Sequence, residues 1–168
     1  MIHLTTHQAS ETLRLGEWIG RRLTPGMTVG LDGDLGAGKT WMAKGLVRGI
    51  GDYDETLVKS PAFNLVHEYP VTRGGAIQPV IHVDFYRLEE LTDTDYLLFS
   101  EVLERPEAIA LVEWASKFLA ELVPDYLSVT LTTCDGGEAD CRQLALGVVG
   151  SGYEALLAEL ETYAHARS

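Results

Sequence analysis

Gly33-Asp34-Leu35-Gly36-Ala37-Gly38-Lys39-Thr40 fulfils the pattern G-x-x-x-x-G-K-T at every fixed position. Before it, Met27, Val29 and Leu31 alternate with Thr28 and Gly30, which predicts a short strand. After it, Met42, Leu46 and Ile50 recur at helical spacing with Ala43 and Val47 beside them, the stripe of an amphipathic helix. A strand, a glycine-rich turn and a helix in this order build a phosphate cradle. Glycine lets the backbone wrap so that successive N–H groups point inward, and the helix adds its positive N-terminal end. Lys39 is then expected to reach the β- and γ-phosphates, and the Thr40 hydroxyl to ligate Mg²⁺. The expected nucleotide-binding set is Gly36, Ala37, Gly38, Lys39, Thr40 and Trp41, whose N–H also faces the phosphates. A turn that merely caps a helix is the plainer alternative, and it does not call for the Lys-Thr pair.

Outward from this core, Leu15, Trp18, Ile19 and Leu23 fall at helical spacing behind Thr6 and Ser10, and Thr24-Pro25-Gly26 ends that helix. Gly49 and Gly51 are expected to stop the helix after the glycine turn. Phe63 to Tyr69 and Val80 to Tyr86 read as strands, and Thr72 to Ala76 between them as the turn of an antiparallel hairpin. Leu88 to Glu104 is acidic and partly helical. Ile109 to Val112 is a buried central strand by its unbroken apolar run. Tyr126 to Leu131 and Leu144 to Val149 are further strands around a loop with Asp135-Gly136-Gly137. Ser151-Gly152-Tyr153-Glu154 fits a capping box opening a last helix. The expectation is an α/β fold: a single P-loop NTPase domain over residues 1–168, with a mixed, partly antiparallel sheet flanked by helices.

Composition agrees. The chain has 168 residues and a formal charge of −12, so a broad surface for gripping nucleic acid is not expected. The longest apolar run, Ala108 to Val112, is far shorter than a membrane span, and no signal-peptide pattern opens the chain. Cys134 and Cys141 flank a loop where a hairpin would face them together, but with so few cysteines free thiols in a reduced, cytoplasmic protein are expected.

A phosphate cradle of this kind needs a carboxylate at a neighbouring strand end. Glu113 follows four apolar residues, Ile109 to Val112, and by pattern is the better metal ligand. Asp84 ends Val80-Ile81-His82-Val83 and is placed to orient or deprotonate the attacking water. Either acid also reads as a strand-end cap. His82 reads as a core or hydrogen-bonded neighbour rather than a ligand. Lys59-Ser60-Pro61-Ala62 lies where a segment sensing the γ-phosphate belongs, and a plain connection explains it equally well. Trp114 is open between core and surface.

Four motifs occur in order: residues 33–40, Val58-Lys59-Ser60-Pro61-Ala62-Phe63, His82-Val83-Asp84-Phe85-Tyr86-Arg87-Leu88 and Leu111-Val112-Glu113-Trp114. Together they resemble the TsaE (YjeE) family of bacterial ATPases, whose beginning Ser10 to Gly16 also fits. The resemblance implies ATP and Mg²⁺ as cofactors and a role in making threonylcarbamoyladenosine at position 37 of tRNA. It implies an accessory subunit that docks on a TsaB–TsaD-like pair and resets it by hydrolysis, reaching tRNA only through that pair and having no membrane partner. Carried over by position, Thr40 and Glu113 are the metal ligands, Asp84 and Lys39 the catalytic residues, and Thr12 a neighbour of the base. One departure stands out: the family's switch segment reads Ser-Pro-Thr, and here Ala62 follows Ser60-Pro61, leaving Ser60 or Asn64 to supply a hydroxyl or amide.

Two other readings stay open. One is a small P-loop kinase passing phosphate to a metabolite, for which few arginines lie at strand ends beyond Arg73 and Arg87. The other is a nucleotide-gated docking module with little hydrolysis, which Ala62 favours. A GTPase lacks its Asn-Lys-x-Asp base-reading motif here.

Overall fold

The computed structural model describes residues 1–136 and 138–167. In chain order the elements are β1 (Ile2–Thr6), α1 (Ala9–Gly20), β2 (Thr28–Asp32), α2 (Lys39–Ile50), β3 (Val66–Arg73), β4 (Ala76–Asp84), α3 (Asp93–Leu103), β5 (Ile109–Glu113), α4 (Leu119–Leu122), β6 (Tyr126–Thr133), β7 (Arg142–Val149) and α5 (Glu154–His165). The strands make one seven-stranded sheet in the order β1-β7-β6-β2-β5-β4-β3. Its centre is parallel, β4 with β5, β5 with β2, and β2 with β6. Both margins are antiparallel, through the β3–β4 hairpin on one side and β6–β7–β1 on the other. This is the expected mixed α/β architecture.

Alternation along the central strands sorts the core into two layers. Val29, Leu31, Val80, Ile109 and Leu111 meet α1, α2 and α5 on one face. Ile81, Val83, Ala110 and Val112 meet Phe99 of α3 and Leu119 of α4 on the other. No helix among the described residues is long and apolar enough to cross a membrane.

Several local readings are corrected. The N-terminus is not only a lead-in to α1: Ile2 to Thr6 adds an edge strand, too short for its alternation to stand out. α1 ends at Gly20, before Leu23. β3 begins at Val66 and runs on to Arg73, so that only Gly74 and Gly75 turn the hairpin, with Arg73 opposite Ala76. The capping box at Ser151 does not form. Asp125 draws the Ser151 N–H, at 2.6 Å, and Tyr153 takes the N-cap position while its hydroxyl bonds the backbone of Thr28. A capping box does open α3, between Thr92 and Asp95. Asp135 and Gly136 lie in the turn after β6; Gly137 is outside the described residues.

Gly51 does cap α2, but Gly49 lies inside it and serves a different end. Gly16 and Gly20 on α1 face Gly45 and Gly49 on α2, and the backbones touch. A Cβ on Gly45 would stand 2.2 Å from the Leu13 carbonyl oxygen, and one on Gly20 2.2 Å from that of Leu46. In an open helix, Gly→Ala gains roughly 1 kcal/mol. At this crossing the helices must instead separate, and overpacking costs about 1–3 kcal/mol. Gly45→Ala is therefore expected to destabilise by about 1–3 kcal/mol in urea unfolding. An unchanged or raised midpoint would contradict the close crossing.

Candidate functional site

The parallel strands β2, β4 and β5 all end at one edge of the sheet, the edge where α/β folds hold ligands. Their register sets Asp84 beside Glu113 and Glu113 beside Leu31. The glycine turn leaves β2 at the same edge and delivers its last residues to α2. Gly33, Gly36 and Gly38 all have positive φ, and a Cβ on Gly33 would lie 2.4 Å from the Leu131 carbonyl oxygen. These positions therefore need glycine. The resulting cleft of about 400 Å³ is lined by Gly36, Gly38, Lys39, Thr40 and Trp41 from the turn and helix. Facing them are Ser60, Ala62, Asp84, Arg87, Glu113 and Trp114. Of the residues assigned to the site from sequence, the fold thus collects Gly36, Gly38, Lys39, Thr40, Trp41, Asp84 and Glu113 around one space. Ala37 turns its side chain into the core and contributes backbone. Thr12 is not brought there: it is buried in α1, and its hydroxyl bonds that of Thr6 at 2.8 Å.

Lys39 folds back over the turn. Its ammonium donates to the carbonyls of Gly33 and Asp34 and lies 4.5 Å from the centre of the Trp114 ring. Burial pushes its pKa below the ordinary lysine value, against a weaker upward pull from Glu113, Asp84, Asp32 and Asp34. Phosphate oxygens beside it would replace the hydration that burial removes. Trp114, open between core and surface in the sequence, is half-buried at the cleft wall. It sits in the left-handed region at φ 56° and packs against Tyr86 at 5.1 Å.

The two strand-end acids are held differently. Asp84 accepts a hydrogen bond from the Ser60 hydroxyl on one oxygen and from the Tyr86 N–H, at 2.8 Å, on the other. Glu113 is 3% exposed, and its Oε1 meets His82 Nε2 at 2.9 Å. His82 itself is fully buried, with Nδ1 2.9 Å from the Tyr69 hydroxyl. It is thus the hydrogen-bonded core neighbour expected of it. Tyr69 in turn reaches the Lys59 backbone, and burial pushes its phenol up to about 12, so it stays protonated.

Three supports were not read from sequence. Arg142, at the start of β7, donates to the carbonyls of Ala37 (2.8 Å) and Gly36 (3.1 Å), bracing the glycine turn from the far end of the chain. Lys117 donates to the carbonyls of Phe85, Tyr86 and Leu88 and so ties down the loop after Asp84. Asp32 accepts from the N–H and hydroxyl of Ser116, fixing the turn after Trp114. Each links segments far apart in sequence, and a lone Arg, Lys or Asp carries no local signal of that. The free-thiol expectation is corrected as well: Cys134 and Cys141 form a disulfide closing the β6–β7 turn, next to Arg142. The antiparallel register brings their Cα atoms to 5.4 Å, within bonding reach.

The donors suit Mg²⁺. A hydroxyl (Thr40) and carboxylates (Glu113, Asp84) are hard oxygen ligands, few enough to leave positions for water and phosphate. No sulfur or imidazole lines the cleft among the described residues, which argues against a zinc-type set.

Comparison with known proteins follows the same lines. Residues 6–143 match the family model described as threonylcarbamoyl adenosine biosynthesis protein TsaE. The protein of Bacillus subtilis (strain 168) called tRNA threonylcarbamoyladenosine biosynthesis protein TsaE is 30% identical over 158 residues, covering 94% of this chain and 92% of its own. A protein of the same name from Nostoc sp. is 38% identical over 128 residues, 75% of each chain. The crystal structure of YdiB from Bacillus subtilis superposes with a TM-score of 0.71 at 27% identity, over 96% of this chain and 95% of that one.

Proposed function

The chain belongs to the TsaE family of threonylcarbamoyl adenosine biosynthesis proteins, and we propose that it serves there as an Mg²⁺-dependent P-loop ATPase. One observation carries the reading: Lys39 and Thr40, at the start of α2, face Asp84 and Glu113 at adjacent parallel strand ends across one cleft. In this reading the backbone of the glycine turn cradles the phosphates and Lys39 neutralises the β- and γ-oxygens. Thr40 and Glu113 would hold Mg²⁺, which when bound would screen phosphate charge. Asp84, with Ser60 beside it, orients the attacking water and accepts its proton. The neighbours' names place them in tRNA threonylcarbamoyladenosine biosynthesis, and the net charge of −12 suits a subunit that meets tRNA only through protein partners. The proposed partner is a TsaB–TsaD-like pair, reset by hydrolysis, in the cytoplasm.

The test is phosphate release from ATP by the purified chain, alone and with that pair. Slow release alone, rising at least about tenfold with the pair, is expected, which corresponds to a barrier lower by about 1.4 kcal/mol or more. Release without any dependence on Mg²⁺ would overturn the metal assignment.

One observation favours a second reading, a nucleotide-gated docking module. Ala62 lines the cleft where a hydroxyl would approach the γ-phosphate. ATP binding and partner docking without phosphate release would establish it. Of the two arginines the metabolite-kinase reading called on, Arg87 lines the cleft, while Arg73 is fastened to the carbonyls of Leu23 and Arg21 and lies away from it, so the several arginines of a phosphate-covering lid are not assembled there.

A further inference from the structure

A line of buried side chains crosses one face of the sheet diagonally, from Glu113 on β5 through His82 on β4 to Tyr69 on β3. It ends on the backbone of Lys59, the residue before Ser60. We propose that His82 and Tyr69 are positioning residues that couple the Glu113 carboxylate to the Lys59–Ser60 segment, so that cation binding at Glu113 also sets the segment's place. The proposal rests on Glu113 being a metal ligand, as read above.

The hydrogen count along the line carries the inference. An ionised Glu113 only accepts, so His82 donates to it from Nε2. In a neutral ring Nδ1 then accepts, and the group facing it is the Tyr69 hydroxyl at 2.9 Å. That hydroxyl has one hydrogen and a second acceptor, the Lys59 carbonyl at 3.0 Å. Its oxygen also faces the Lys59 N–H at 3.4 Å. The hydrogen therefore has two positions. Directed at His82, it completes the link to Glu113; directed at Lys59, it tethers the segment. A cation that draws charge from Glu113 weakens the carboxylate's pull on Nε2–H and makes Nδ1 a poorer acceptor. The phenol hydrogen then turns to the Lys59 carbonyl. Ser60, the next residue, donates to Asp84, so the tether bears on the water-orienting acid as well. A core that needed only packing would have used apolar residues here, since buried polar groups cost stability when left unpaired.

Tyr69→Phe keeps the ring and its packing on Tyr53 at 5.3 Å and removes only the hydroxyl. His82→Gln keeps a donor for Glu113 and removes the Nδ1 acceptor. Amide hydrogen exchange is measured across residues 58–62 and across the glycine turn, with ADP, before and after Mg²⁺. In the wild type, Mg²⁺ is expected to slow exchange at Lys59 and Ser60. In either variant that Mg²⁺ response falls about tenfold or more, the scale of lost outer-shell support, while ADP still protects the glycine turn. In turnover, kcat falls about tenfold with KM for ATP unchanged, and the double variant is no worse than either single one. Variants that melt earlier yet keep the full Mg²⁺ response at Lys59, or whose losses add, overturn the coupling. A wild type with no Mg²⁺ response at Lys59 overturns it too. Failure of the nucleotide-site reading shows separately, as a glycine turn that ADP does not protect, and failure of the hydrolysis reading alone as a protected turn with no phosphate released from ATP.

Discussion

Replacing Lys39 with alanine is expected to weaken ATP binding by about 100-fold or more. Each hydrogen bond to a charged group contributes about 1.5–3 kcal/mol, and a lysine spanning two phosphates at the end of a closed turn makes more than one. The cradle amides and the helix terminus stay in place, so the loss isolates the ammonium. The unliganded variant should still fold. It loses two backbone contacts, to Gly33 and Asp34, but also the cost of a buried ammonium. Titration calorimetry with ATP and Mg²⁺ measures the affinity. Thermal unfolding gives an independent check, since ligand at about 100 times Kd stabilises by about 2.7 kcal/mol. At the same ligand concentration that stabilisation should fall to about 0.4 kcal/mol or less in the variant. An affinity within twofold of the wild type would remove the phosphate site from this turn.

The second large effect is expected from Asp84→Asn, with kcat falling about 10²- to 10⁴-fold, the range for losing a general base, and ATP affinity held or slightly raised. The substitution is chosen for what it preserves. Asparagine still accepts the Tyr86 N–H, and its amide can donate to the Ser60 hydroxyl in place of the bond it loses. What goes is the negative charge and the ability to take a proton. Removing that charge also relieves repulsion of phosphate. If Asp84 only caps the turn into Tyr86, asparagine does so equally well and kcat stays within a few-fold. Acid-quenched phosphate formation in a single turnover, with the protein in excess over ATP, separates the outcomes, because it reports the chemical step without product departure.

The glycine turn was legible because its chemistry is local. The positive φ of the turn demands glycine at Gly33, Gly36 and Gly38, and Lys39-Thr40 follow in the next turn of chain, so the whole proposed cradle lies in consecutive residues. The same holds for β5, whose unbroken apolar run ending in Glu113 marks a strand buried on both faces. The hairpin of β3 and β4 announced itself through Gly74-Gly75. Ser151, by contrast, matched a local rule that lost to a tertiary partner, Asp125. Gly49 looked like a helix stop because the close approach of α1 is invisible along a single chain segment.

From consecutive residues, then, come the strand–turn–helix unit with the residues proposed to hold phosphate and the α/β class, since backbone conformation and hydrophobic period act within a few residues of themselves. The register that sets Asp84 beside Glu113, the Arg142 brace on the glycine turn, the Cys134–Cys141 bond and the Glu113–His82–Tyr69 line exist only in the folded molecule. Each depends on which strands lie side by side and in what register, and that is decided by burial summed over the whole sheet, not by the residues that meet.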